Sequence, residues 1–227
     1  MVNMKLLYIM KKHSLCLFIL LLFISFALIS CISETSVSYK SGVYALSSKT
    51  AFNDTYFALE RDYNSEMSGK TNSEILEIIS LEISDTLTKY NVLFDINSTR
   101  DTIDISFTST KEEIERLSSS ITSDENNPIL FYENDTLKIN INRDNYMDLK
   151  VFLPLLENET IYSYTAAFNA DTTKEEYLEI ISYVLSEDIA TSLDECEIAF
   201  TINDGKTSKK VSFTLLDFLL LHSPITL

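Results

Sequence analysis

Glycine is nearly missing from this chain: 227 residues contain three, at positions 42, 69 and 205. Phosphate cradles need clustered glycines so that the backbone can approach the anion, which excludes both a Walker loop and a dinucleotide fingerprint. Histidine is scarcer still, with His13 in the N-terminal apolar stretch and His222 near the end. His-rich zinc sites are therefore excluded, and a Ser-His or Cys-His arrangement would rest on His222 alone. That residue follows the apolar run 218–221 and reads as structural or surface-exposed. Positive charge is also thin: 18 Lys and Arg stand against 34 Asp and Glu, a formal net charge of −16. Such a chain is repelled by nucleic acid, and no Lys/Arg cluster offsets the repulsion.

Carboxylates are plentiful, but their positions have structural explanations. Glu112, Glu113 and Glu115, like Glu175, Glu176 and Glu179, crowd the first turns of expected helices, where they complement the helix dipole. Asp95-x-Asn97-x-Thr99-x-Asp101 imitates the opening of a calcium loop. Arg100 stands where that loop needs glycine and Ser106 where it needs the closing Glu, so no metal or other cofactor is expected. Tyr162, Tyr164, Tyr177 and Tyr183 are candidates to line a sugar or peptide site, or else straddle core and surface.

The N-terminus carries the most specific signal. Lys11-Lys12 precede an almost wholly apolar run from Leu15 to Leu28, followed by Ile29, small Ser30 and Cys31. This is the order of a secretory signal, and its apolar core of about 14 residues falls short of the roughly 20 that a spanning helix needs. Met10 is a more natural signal start than Met1, with the same mature chain from either. Leu28-Ile29-Ser30-Cys31 resembles the lipobox of bacterial lipoproteins. The resemblance implies cleavage between Ser30 and Cys31, a diacylglyceryl thioether on Cys31, and membrane attachment through at least two acyl chains. It places the protein in the bacterial cell envelope, periplasmic or surface-exposed. An ordinary secretory signal with a chance cysteine is the competing reading. Once residues 1–30 are removed, with Lys5, Lys11 and Lys12 and no acid among them, 15 basic residues face 34 acidic ones, formally −19. Only Cys196 then accompanies Cys31, so acylation leaves no internal disulfide and Cys196 is expected in the core.

The mature chain reads as a tether over 31–38 and an α+β domain over 39–227. Residues 43–46 and 56–59 are expected as strands. Thr71 with Glu74, Thr110 with Glu113 and Thr173 with Glu176 form capping boxes that open helices. Asn142 is expected to cap another, ended by Pro154. Asn134-Asp135 and Asp204-Gly205 read as tight turns between strands.

Two regions look like one unit written twice. Leu76-Glu77-Ile78-Ile79-Ser80 recurs as Leu178-Glu179-Ile180-Ile181-Ser182, Phe94-x-Ile96-Asn97 as Phe200-x-Ile202-Asn203, and Pro128-Ile129 as Pro224-Ile225. The expected architecture is an antiparallel sheet with packed helices, built from an α-β-β-α-β unit present at 71–132 and again at 173–227. A ligand would be sought between the halves. The helix at 175–179 and the closing segment 211–217 resemble parts of uncharacterised spirochaete-type lipoproteins, which implies no assigned activity. The function expected is that of a non-enzymatic, lipid-anchored protein binding a small-molecule or protein partner. A structural or assembly component of an envelope complex is the alternative, and a carboxylate-based hydrolase stands third.

Overall fold

The computed structural model describes residues 31–158, 171–203, 205–221 and 223–227. Strands β1 (Ile32–Lys40) and β2 (Val43–Ala51) form a hairpin, followed by helices α1 (Asp54–Tyr63) and α2 (Asn72–Lys89). A second hairpin, β3 (Asp95–Ser98) and β4 (Thr102–Ser109), leads into α3 (Lys111–Ile121), and then β5 (Leu130–Glu133) and β6 (Thr136–Ile141). Two 3-10 turns, Tyr146–Leu149 and Pro154–Glu157, precede α4 (Lys174–Val184) and α5 (Glu187–Glu195). The chain closes with β7 (Glu197–Asn203), β8 (Ser208–Thr214), α6 (Leu215–Leu220) and β9 (Ile225–Thr226).

The main sheet has six strands in the order β3-β4-β2-β1-β7-β8, antiparallel except where β1 runs parallel to β7; a smaller sheet has the order β5-β6-β9. Burial alternates along β2 and β4, so one face of the main sheet carries the core and the other meets solvent. Leu46, Ile103, Ile105, Ile198 and Phe200 project into that core, and α2 supplies Ile75, Leu76, Ile79, Ile83 and Leu87 at helical spacing. The protein is therefore α+β, with helices packed on a predominantly antiparallel sheet. All three Thr-x-x-Glu boxes close reciprocally at Thr71, Thr110 and Thr173.

The structure corrects the tether. Residues 31–38 are not a linker ahead of the domain: Ile32–Lys40 is an inner strand of the main sheet, bonded to β2 on one side and β7 on the other. Its inward positions are Ser33, Thr35 and Val37, and the two hydroxyls bond across the hairpin to Thr50 (2.8 Å) and Ser48 (3.0 Å). Small polar residues looked like linker, yet each buried hydroxyl has its cross-strand partner. Tyr56 to Leu59 is helix rather than strand, because the Asn53 side chain accepts from the Tyr56 amide and starts α1. The helix expected after Asn142 is replaced by 3-10 turns. There the buried Asn145 donates to the carbonyls of Asn127 and Asn140, each at 3.0 Å, and competes with a helical backbone.

The α-β-β-α-β order does recur, with α5 inserted in the second copy after Ser186 caps a new helix. The copies are not placed equivalently: β4, the second strand of its hairpin, lies inward, whereas β7, the first of its own, does. Ile105-Ser106-Phe107-Thr108 of the first hairpin corresponds to Val211-Ser212-Phe213-Thr214 of the second; Ile96 sits opposite Ile105, but their counterparts Ile202 and Val211 lie opposite Lys209 and Phe200. That two-residue slip preserves which face each side chain takes.

Candidate functional site

Cys31 stands one residue before β1. The parallel register sets Ile32 beside Glu197, which brings the preceding residues, Cys31 and Cys196, together. Their Cα atoms lie 4.7 Å apart and the sulfurs are joined as a disulfide. Both residues are buried, and the Cys31 carbonyl accepts from the Glu197 amide at 2.9 Å. Cys196 thus takes the core position expected of it, but the expected lack of an internal disulfide does not describe this structure. Beside Cys31, Asn53 donates to Ser192 Oγ at 2.7 Å and ties the start of α1 to α5. Lys174 then holds this end of the molecule together, pairing with Asp194 of α5 and, at 3.3 Å, with Asp217 of α6. Partial burial lowers the basicity of this ammonium, but its two carboxylates outweigh that and hold it above the ordinary lysine range.

Three tight turns gather at the other end of β1. Ser41 and Gly42 turn β1 into β2 with φ of 55° and 86°. Asn134 and Asp135 turn β5 into β6 with φ of 50° and 60°, a left-handed pair that Asn and Asp tolerate. Gly205, at φ 84°, turns β7 into β8; a Cβ there would lie 3.1 Å from the Tyr39 carbonyl oxygen, so the turn packs directly on β1. Between them lies a groove of about 410 Å³. Val37, Leu137 and Ile202 form its apolar floor, and Tyr39 and Tyr44 one wall, their rings 4.7 Å apart at 41°. Lys111 and Lys206 bring two ammonium groups to it, with Asn203 and Thr136 as neutral hydrogen-bonding residues.

Lys111 is held in place from two sides. Its Nζ lies 4.6 Å from the centre of the Tyr132 ring and 2.9 Å from Asp135 Oδ1. The hydrogen bond to Asp135 raises the lysine's affinity for its proton, and the same contact lowers the pKa of the aspartate. Asp135 is almost fully exposed, at 95% of its side chain, so it is a counter-ion that water or another anion can replace. Burial, together with the neighbouring Tyr44, pushes the Tyr132 phenol well above its usual range, so it stays neutral. A second groove of about 420 Å³ runs between α3 and β5, but Glu115 and Glu125 line it and give it the opposite charge.

The groove draws Lys111 from the first repeat and Ile202, Asn203 and Lys206 from the second. The tyrosines singled out in the sequence are not part of it: Tyr177 is fully buried, Tyr183 is 91% exposed, and Tyr162 and Tyr164 lie outside the described residues, as do Ser30 and His222. Glu113 and Glu176 accept from their own cap amides. Among the described residues, no group of three or more His, Cys, Asp or Glu comes together to hold a metal, and no helix is long and apolar enough to cross a membrane. Sequence reasoning passed over Tyr39, Tyr44 and Lys206; the one signal for them was that each lies beside a turn. Compared with family models, curated proteins and solved structures, the chain matches none.

Proposed function

We propose that this chain is a lipid-anchored envelope protein of bacteria, attached through a thioether on Cys31 after cleavage behind Ser30, and that its folded domain binds a ligand in the groove between the three turns. The observation that carries the reading is the layout of β1. Cys31, the lipobox cysteine, abuts one end of the strand, and Val37 and Tyr39 near the other end line the groove. At the usual rise of a strand β1 extends about 30 Å from Cys31, so the groove lies at the end of the strand opposite the proposed anchor. Its lining offers two cations, aromatic walls and an apolar floor, which is equipment for holding a molecule.

A sulfur in a thioether cannot also sit in a disulfide. The anchored protein therefore carries Cys196 as a buried free thiol, and the Cys31–Cys196 bond belongs to chains that have not been acylated. Growth of the native cells with an alkyne-bearing fatty acid, followed by capture of the labelled protein, tests the anchor: label is expected in the wild type and absent from Cys31→Ser. Native mass spectrometry of the captured protein tests the groove, with a retained ligand mass expected and its loss expected in Tyr39→Ala. Co-purification of a stoichiometric protein partner, unaffected by Tyr39→Ala, would favour an assembly component instead.

A further inference from the structure

We infer that the ligand of the groove is an acidic saccharide, a sugar ring bearing a carboxylate, which stacks on Tyr39 and replaces Asp135 as the partner of Lys111. The inference rests on the binding reading above and names its ligand class. It starts from an anomaly of charge. The chain is formally −16, yet among the described residues that line this groove two are basic, Lys111 and Lys206, and one is acidic, Asp135. A lysine ammonium in an acidic protein attracts anions locally, whereas the negative charge around it repels them elsewhere on the surface.

The form of the cationic site selects among anions. Lys111 is already positioned over the Tyr132 ring, so little side-chain freedom remains to be lost when an anion arrives. Its present partner sits on a turn tip in open water, and exchanging one exposed carboxylate for another conserves the charge pairing. A bare phosphate would seek a fork of guanidinium groups or free helix amides. No arginine lines the groove, and the first turn of α3, where Lys111 lies, is closed by its own capping box of Thr110 and Glu113. The aromatic wall supplies the other half of the recognition. Tyr39 is 38% exposed and inclined on the buried Tyr44, leaving ring surface for the apolar face of a sugar. Asn203 and Thr136 stand beside it for hydroxyl groups. Asn203 Oδ1 is held at 2.9 Å by the Gly205 amide, which fixes the direction of its side chain.

The test uses the mature protein purified from cells in detergent and two tetrasaccharides that differ in charge: one alternating glucuronate with N-acetylglucosamine, the other N-acetylglucosamine throughout. Calorimetric titration should show the acidic one binding on the order of tenfold tighter or better, as loss of a charge-assisted hydrogen bond implies. Lys111→Met and Lys206→Met should each weaken the acidic sugar by roughly the same factor, with binding falling further between low and physiological salt. Tyr39→Ala should weaken both sugars. Asp135→Asn removes the competing carboxylate, so it should tighten the acidic sugar about two- to fivefold, and it remains informative if a lysine variant melts early. Equal affinity for the two sugars, or weaker acidic binding in Asp135→Asn, would overturn the inference. So would failure of either sugar to bind. If the native mass spectrum then still shows a ligand mass lost in Tyr39→Ala, the groove remains a binding site for another class of molecule; if it shows none, both readings fall.

Discussion

Cys31 and Cys196 are 165 residues apart in sequence and meet because the parallel pairing of β1 with β7 leaves them side by side at the start of the two strands. One of these sulfurs is also the proposed lipid attachment point, so disulfide formation and the proposed anchoring would compete for a single atom. In protein produced without residues 1–30 under oxidising conditions, Cys196→Ser should destabilise the fold by about 3–5 kcal/mol, since the disulfide closes a long loop of the unfolded chain. Denaturant titration measures it. In the anchored protein the same substitution should leave fatty-acid labelling unchanged. There, Cys196 should react with a thiol reagent only after unfolding, because it is fully buried.

The hydroxyl ladder between β1 and β2 gives a cooperative prediction. Ser33→Ala leaves Thr50 Oγ1 buried without its 2.8 Å partner, at a cost of about 1–3 kcal/mol. Thr50→Val orphans Ser33 in the same way. The double variant should cost clearly less than the two single effects together, because no hydroxyl is then left unpaired. Additive costs from chemical denaturation would mean the pair is not coupled.

Those hydroxyls also mark where the sequence could and could not be read. Helices α2, α3 and α4 were legible because a capping box and an apolar stripe agree in each, as at Thr71 with Leu76, Ile79 and Ile83. Strand β1 was not, since Ser33 and Thr35 occupy inward positions where alternation is normally apolar. Tyr56 and Phe57 are strand-favouring residues, but the Asn53 cap starts α1 through them. The turns at Asn134-Asp135 and Gly205 were evident from composition. That they converge with Gly42 on one groove depends on strand order, in which β1 separates β2 from β7, and no local pattern encodes that order.

Gly205→Ala should disturb the groove and the fold together. The residue has φ 84° and its new Cβ would lie 3.1 Å from the Tyr39 carbonyl oxygen. Strain of this kind costs about 1–2 kcal/mol, and thermal unfolding should show it. Amide NMR shifts should move along Tyr39 and its neighbours, and those around Lys174 at the far pole should stay in place.

Lys174 predicts an alkaline limit. Its pKa is higher in the folded state than the ordinary 10.5, so its ion pairs contribute fully below that value and their contribution disappears as pH rises through the folded pKa. Lys174→Met should remove this part of the alkaline loss, with an effect at neutral pH of at most about 1 kcal/mol given the partial exposure of the pair. Melting curves between pH 8 and pH 11, on scales where about 10.4 is the reference lysine value, compare the two proteins. An unchanged alkaline profile in the variant would show that Asp194 and Asp217 do not depend on it.

The proposed anchoring depends on which bond Cys31 makes in the living cell. Mass spectrometry of the N-terminal peptide from protein extracted from its own cells, without reduction, reads that bond directly. Anchoring through Cys31 predicts a peptide that starts at Cys31 and carries a diacylglyceryl group on sulfur, with Cys196 recovered as a free thiol. A peptide in which Cys31 bears no lipid and is instead linked to Cys196 would contradict it.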